Sequence, residues 1–167
     1  MPIAVTTYSV VKALHVIAVL AAYGLPLAYP LLLPFLRRNH PQAMPGVHAI
    51  QYRLNRWLTG PGTVLILAFG IYLASKGHLW DEPWVGVGLG AIVVIGAVGG
   101  AVIVPASRRM GELAAAEVGA TAPAGGGGAP RWSAEYDRVW SRYMAAEIFL
   151  GAVVLVAVFF MAAKPFS

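Results

Sequence analysis

The chain has 167 residues, of which 59% are hydrophobic and 11% charged, with a formal net charge of +5 and no cysteine. A soluble domain carries about 25% charged residues, so this composition excludes an ordinary soluble globular protein and points to the membrane class. Disulfides, thiolate metal sites and cysteine nucleophiles are excluded as well, and the basic residues flank apolar stretches, which reads as membrane topology with no nucleic-acid patch.

No charged n-region precedes the first apolar run, which is too long for a signal-peptide core, so the first helix is expected to be retained. Four apolar stretches stand out at 8–35, 57–75, 85–106 and 143–163. Each is near or above the roughly 20 residues that a helix needs to cross the hydrocarbon. None alternates with period two, so a β-barrel is not expected. The expected fold is all-α: an integral membrane four-helix bundle, antiparallel and up-down, forming one domain over 1–167 with the lipid bilayer as its main partner.

The first stretch carries Lys12 and His15, one turn apart on one helix face, and then Pro26, Pro30 and Pro34. His15 lies about 10 Å inside, at 1.5 Å per residue, whereas Lys12 can snorkel to the headgroups. An ionisable pair in a spanning helix is costly and marks a candidate site. Three readings of His15 stand side by side: a hydrogen bond across the bundle, a haem or metal ligand, or a step in proton or ion transport. The prolines share one face. They predict a kinked helix running on along the inner interface, with a broken helix lining a cavity as the alternative.

Arginines 37, 38, 53 and 56 fall in the first connection, and 108, 109, 131, 138 and 142 in the third. By the positive-inside rule that side is the cytoplasm, which puts both termini outside a bacterial inner membrane. Trp57, Trp132, Trp140 and Tyr143 would form the inner aromatic belt, and Trp80, Trp84 and Phe166 the outer one. His40 and His48 flank a Pro-rich inner loop and are expected to be solvated. His78 sits in the short outer loop beside Asp81 and Glu82. It is the weaker candidate for a second haem ligand, and an interfacial loop histidine is its plainer reading.

The third stretch is glycine-rich. Gly86/Gly90 and Gly96/Gly100 are small-xxx-small pairs, which predict close helix packing or a homodimer contact. The third connection contains a Gly-rich linker at about 119–130, flanked by segments expected to extend helix three and to lead into helix four. Glu147 lies about one turn into the fourth stretch. A salt bridge to Arg142, Arg53 or Arg56 is expected, with a proton-carrying carboxylate as the alternative. No Ser/His/Asp set, HExxH or P-loop is present.

The order of these features resembles the HemJ-type membrane protoporphyrinogen oxidases. The resemblance rests on Lys12-Ala-Leu-His15, on Gly24 and Pro30, and on Arg53-Leu-Asn-Arg56-Trp-Leu-Thr-Gly-Pro61. Glu147 and the closing Lys164-Pro165-Phe166 complete it. It implies a b-type haem held by His15. The family's arginine after the proline is Leu31 here, and the histidine and lysine that open its third helix are absent from Trp84–Gly90. The chain is more similar to domain-of-unknown-function family 2269, sharing the Leu-His start and the Pro105-Ala-Ser-Arg108-Arg109 exit from helix three. That likeness implies a fold without an activity. A non-enzymatic or accessory membrane protein with haem at His15 is therefore expected. The alternatives are a porphyrin or quinone oxidoreductase, against which the absent charges argue, and a small ion or copper permease of the copper-resistance D type, which Met144 and Met161 support thinly.

Overall fold

A computed structural model describes residues 6–120 and 130–165, and every element in it is helical. Seven α-helices follow in chain order: α1 Thr7–Tyr23, α2 Tyr29–Asn39, α3 Met44–Leu54, α4 Gly60–Lys76, α5 Pro83–Val98, α6 Val104–Ala120 and α7 Ala134–Ala163. Short 3-10 turns join α1 to α2 and α2 to α3, and π-helical turns at Asn55–Thr59 and Gly99–Ile103 splice α3 to α4 and α5 to α6. The result is four long rods, each long and apolar enough to cross a membrane: Thr7–Asn39, Pro41–Lys76, Pro83–Ala120 and Ala134–Ala163. This is the all-α four-helix bundle that the hydropathy predicts.

Local chemistry accounts for the boundaries. Thr6 and Ser9 form a reciprocal capping box that starts α1, satisfying two orphan backbone donors. Proline then interrupts the first rod: a 3-10 turn at Pro26–Ala28 opens on Pro26, and α2 carries Pro34 inside it. Ser133 caps α7, with Glu135 and Asp137 in the first turn where the helix dipole favours them.

The second rod begins at Pro41, well before the expected 57. Its polar first third is not a loop. The buried residues His48, Gln51 and Asn55 recur at helical spacing and pack inward. Helices α3 and α6 lie against each other along this part. The flanks of the third connection behave as expected, extending helix three to Ala120 and starting helix four at Ala134. Most of the Gly-rich linker, 121–129, lies outside the described residues, as does Phe166.

Two cores result. One sits at the arginine-rich end, where Tyr29, Leu33, Met44, Met110, Tyr136, Trp140 and Tyr143 pack together. Arg37 spans it, with its guanidinium 4.9 Å from the Trp140 ring and 5.1 Å from the Tyr136 ring, and ion-paired to Asp137. The second core, of Ala22, Tyr23, Ile66, Ile92, Ile95 and Val154, occupies the middle of the bundle. Outside these the rods are clothed in exposed apolar side chains; Leu31 is 83% and Val64 66% exposed. That is the surface lipid would cover.

Candidate functional site

Two cavities share no wall residue, and each contains one of the polar groups that the sequence singles out within its apolar stretches. The first, of about 450 Å³, lies between α1, α4, α5 and the end of α7. His15 packs against α4 there at Gly70: a Cβ at position 70 would stand in ordinary contact, 3.5 Å from His15 Cε1. The imidazole Nδ1 is buried without a hydrogen-bond partner, and the polar main-chain group beside the ring is at Ile66. Lys12 lines the same cavity, as do Trp84, Met161 and Lys164. The Lys164 ammonium lies 5.3 Å from the Trp84 ring centroid. The walls are otherwise apolar, with Ile66, Leu67, Ile71 and Ile92 among them.

His78 does not belong to this cavity. It is exposed in the turn after α4, in a left-handed conformation with φ of 52°. Met161 adds a soft thioether to the cavity wall. Among the described residues no group of three or more His, Asp or Glu side chains gathers as a metal site.

The second cavity, of about 270 Å³, lies toward the arginine-rich end. Both π-helical turns border it, through Asn55 and Thr59 on one side and Gly99, Gly100 and Ile103 on the other. Such turns are rare and recur at functional sites. Its polar lining is Tyr23, Asn55, Thr59, Thr63 and Glu147. Thr63 donates to the Thr59 carbonyl at 2.7 Å, so Tyr23 donates to Thr63 Oγ1 at 2.6 Å, and Thr59 donates to the Ala22 carbonyl. The donor of each of those three hydroxyls is thus engaged. Glu147 is 5% exposed and accepts from the Tyr143 hydroxyl at 2.5 Å. Asn55 is 6% exposed; it lies beside the Tyr143 hydroxyl, but its Nδ2 makes no hydrogen bond.

The expected salt bridge to Glu147 does not form. No ion pair among the described residues includes it, and Arg53, Arg56 and Arg142 are exposed. The reason is helical phase. Residues 48, 51 and 55 take the inward face, which turns 53 and 56 outward; Arg56 instead stacks on Trp57, with 5.8 Å to its centroid.

His48, expected to be solvated, is fully buried. It anchors a hydrogen-bonded chain that ends at Glu147. Gln51 Oε1 can only accept, so His48 Nδ1 carries the proton and donates to it at 2.8 Å. His48 Nε2 is then the acceptor from the Tyr136 hydroxyl, also at 2.8 Å. Gln51 Nε2 donates to the Tyr143 hydroxyl at 3.0 Å, and Tyr143 donates to Glu147. Every donor points the same way, from Tyr136 to Glu147. The sequence did contain a signal for this chain: His48, Gln51 and Asn55 at i, i+3 and i+7, facing tyrosines at 136 and 143.

Among the described residues the glycine pairs of helix three make no close contact. A Cβ at Gly86, Gly90, Gly96 or Gly100 would meet nothing within 4 Å. The close approaches are made elsewhere, at Gly62 against Ala22 and Gly88 against Met161.

No family model matches the chain, and the searches of curated proteins and of solved structures return no match.

Proposed function

We propose that the protein is a multi-pass membrane protein that binds an amphiphile with an acidic head in the His15 cavity, with haem b as the candidate ligand. The observation that carries this reading is a buried, unpartnered His15 nitrogen beside an apolar cavity of about 450 Å³, a size within the usual range of ligand sites. The donor set fits the group. A neutral imidazole ligates haem iron and Met161 offers a thioether, while Lys12 and Lys164 at the same cavity are suited to pair with carboxylates. Bound haem would supply one-electron chemistry; the chain's own residues would hold it, orient it and keep water from it.

The accessory, non-enzymatic reading belongs to this proposal, as does the likeness to family 2269. So does an orientation with the arginine-rich end in the cytoplasm of a bacterial inner-membrane protein and both termini outside. The permease reading gains nothing from the geometry, because Ile66, Ile92, Ile95 and Val154 form an apolar layer between the two cavities. A homodimer contact would use Gly86 and Gly90, since Gly96 and Gly100 already line the second cavity.

A reduced-minus-oxidised absorption spectrum of detergent-purified protein, expressed with haem supplementation, tests the reading. Soret and α-band signals that vanish in His15→Ala and persist in His78→Ala are expected. A parent protein without bands would remove haem from the proposal.

A further inference from the structure

The geometry points to a second ligand site, at Glu147 and Asn55, for a neutral lipid that carries a free hydroxyl group. Of the five polar groups lining the inner cavity, Asn55 keeps an unused donor and Glu147 an unused carboxylate oxygen, whereas the three hydroxyl donors are engaged. Asn55 is 94% buried by the complement of its 6% exposure, and its Nδ2 is a donor without an acceptor. Glu147 has one oxygen engaged by Tyr143 and its second oxygen without a hydrogen bond. A buried donor left unpaired costs about 1–3 kcal/mol, so such a group marks a place where something else binds. One hydroxyl oxygen satisfies both groups, accepting from Asn55 and donating to Glu147.

The rest of the wall selects the remainder of the ligand. It is apolar, formed by Leu27, Val64, Ile95, Ile103, Leu150 and Val154, which suits a hydrocarbon body. Among the described residues no lysine or arginine lines the cavity, so a phosphate or carboxylate head would be buried beside Glu147 without a counter-charge, at high cost. The cavity opens sideways: Val64, Gly60, Gly96 and Gly100 are exposed lining residues on α4, α5 and the second π turn. They belong to the apolar flank of the bundle, so the ligand would enter from the lipid side. A diacylglycerol and a quinol share the required chemistry, one with an alcohol and the other with a phenol.

Saturation binding to the full chain in lipid nanodiscs, with empty nanodiscs as the partition blank, tests the inference. The probes are dioctanoylglycerol and a decyl-benzoquinol, each paired with its O-methyl ether, and dioctanoyl phosphatidic acid. At least one free-hydroxyl probe should saturate, with the ethers and the phosphatidic acid at the blank level. Whichever hydroxyl probe binds identifies the source. Asn55→Leu and Glu147→Gln should each weaken binding by roughly tenfold or more, and His15→Ala should not. Because a buried-polar variant can unfold, Gly96→Leu provides a fold-neutral arm: its side chain enters open space and should block the cavity. The inference is overturned if no hydroxyl probe exceeds the blank, if ethers bind as well as hydroxyls, or if the Gly96→Leu protein binds with the parent affinity.

Discussion

Tyr143 is the joint between the buried chain and Glu147, and Tyr143→Phe tests whether that chain holds the arginine-rich end together. The substitution keeps the ring, which is fully buried, and deletes one oxygen. Two groups lose their partner at once: Gln51 Nε2, which donates to that oxygen at 3.0 Å, and Glu147, which accepts from it at 2.5 Å. Each abandoned buried group costs about 1–3 kcal/mol, so the expected loss is about 2–5 kcal/mol. For a chain of this size that corresponds to roughly 5–15 °C in melting temperature. Tyr23→Phe is the internal reference. It removes one hydroxyl too, but leaves only the Thr63 acceptor unpaired, while Thr63 keeps its own bond to Thr59. Its expected loss is about 0.5–1.5 kcal/mol. Circular-dichroism melts of both variants in one detergent make the comparison. Pairing Gln51→Leu with Tyr143→Phe should cost less than the sum of the singles, because the two share a bond. Equal melting temperatures for Tyr143→Phe and Tyr23→Phe would refute the reasoning.

Two further outcomes follow from single residues. His48→Leu abandons two buried groups at once, the Tyr136 hydroxyl and Gln51 Oε1, so thermal melts should show it about 2–5 kcal/mol less stable than the parent; a melt equal to the parent's would contradict the buried chain. At Gly62 an added Cβ would lie 2.9 Å from the Ala22 Cβ, whereas at Gly90 it would meet nothing. Gly62→Val should cost about 1–3 kcal/mol by forcing α1 off α4, and Gly90→Ala should be neutral or slightly stabilising in a helix; a melt that ranks them the other way would contradict the packing.

The apolar spans were legible because twenty-residue hydrophobic runs admit few other structures in any solvent. His15, Lys12 and Glu147 were legible as sites because charge within such runs is rare. What the sequence concealed was phase. A hydropathy window averages around the helix, so His48, Gln51 and Asn55 merge with the arginines beside them and read as a solvated loop, although only one face is polar and buried. The same averaging invited an arginine partner for Glu147, when its partner is a tyrosine four residues back on its own helix. The glycines misled in a different way. Small residues at spacing four mark helix contacts only where another helix comes close, and among the described residues a Cβ at Gly86, Gly90, Gly96 or Gly100 would meet nothing within 4 Å.

The π turn at Asn55–Thr59 explains how one rod serves both cavities. Its inward residues run 48, 51, 55, 59, 63, 66, 70 and 74, each buried or half-buried. Three successive steps of four, from 51 to 63, would drift by about 40° each in an α-helix of 3.6 residues per turn, carrying Thr63 off the bundle face. A wider turn placed within that run takes up the drift. Thr59 consequently reaches the Ala22 carbonyl, Gly62 meets Ala22, and eight residues further along Gly70 meets His15. Position falls along α1 as it rises along α4, the register of an antiparallel pair. The turn that shapes the Asn55–Glu147 cavity thus also sets the register that brings Gly70 against His15. Shortening it by one residue would rotate Gly70 by about 100° away from the imidazole, and both cavities would change together although they share no residue.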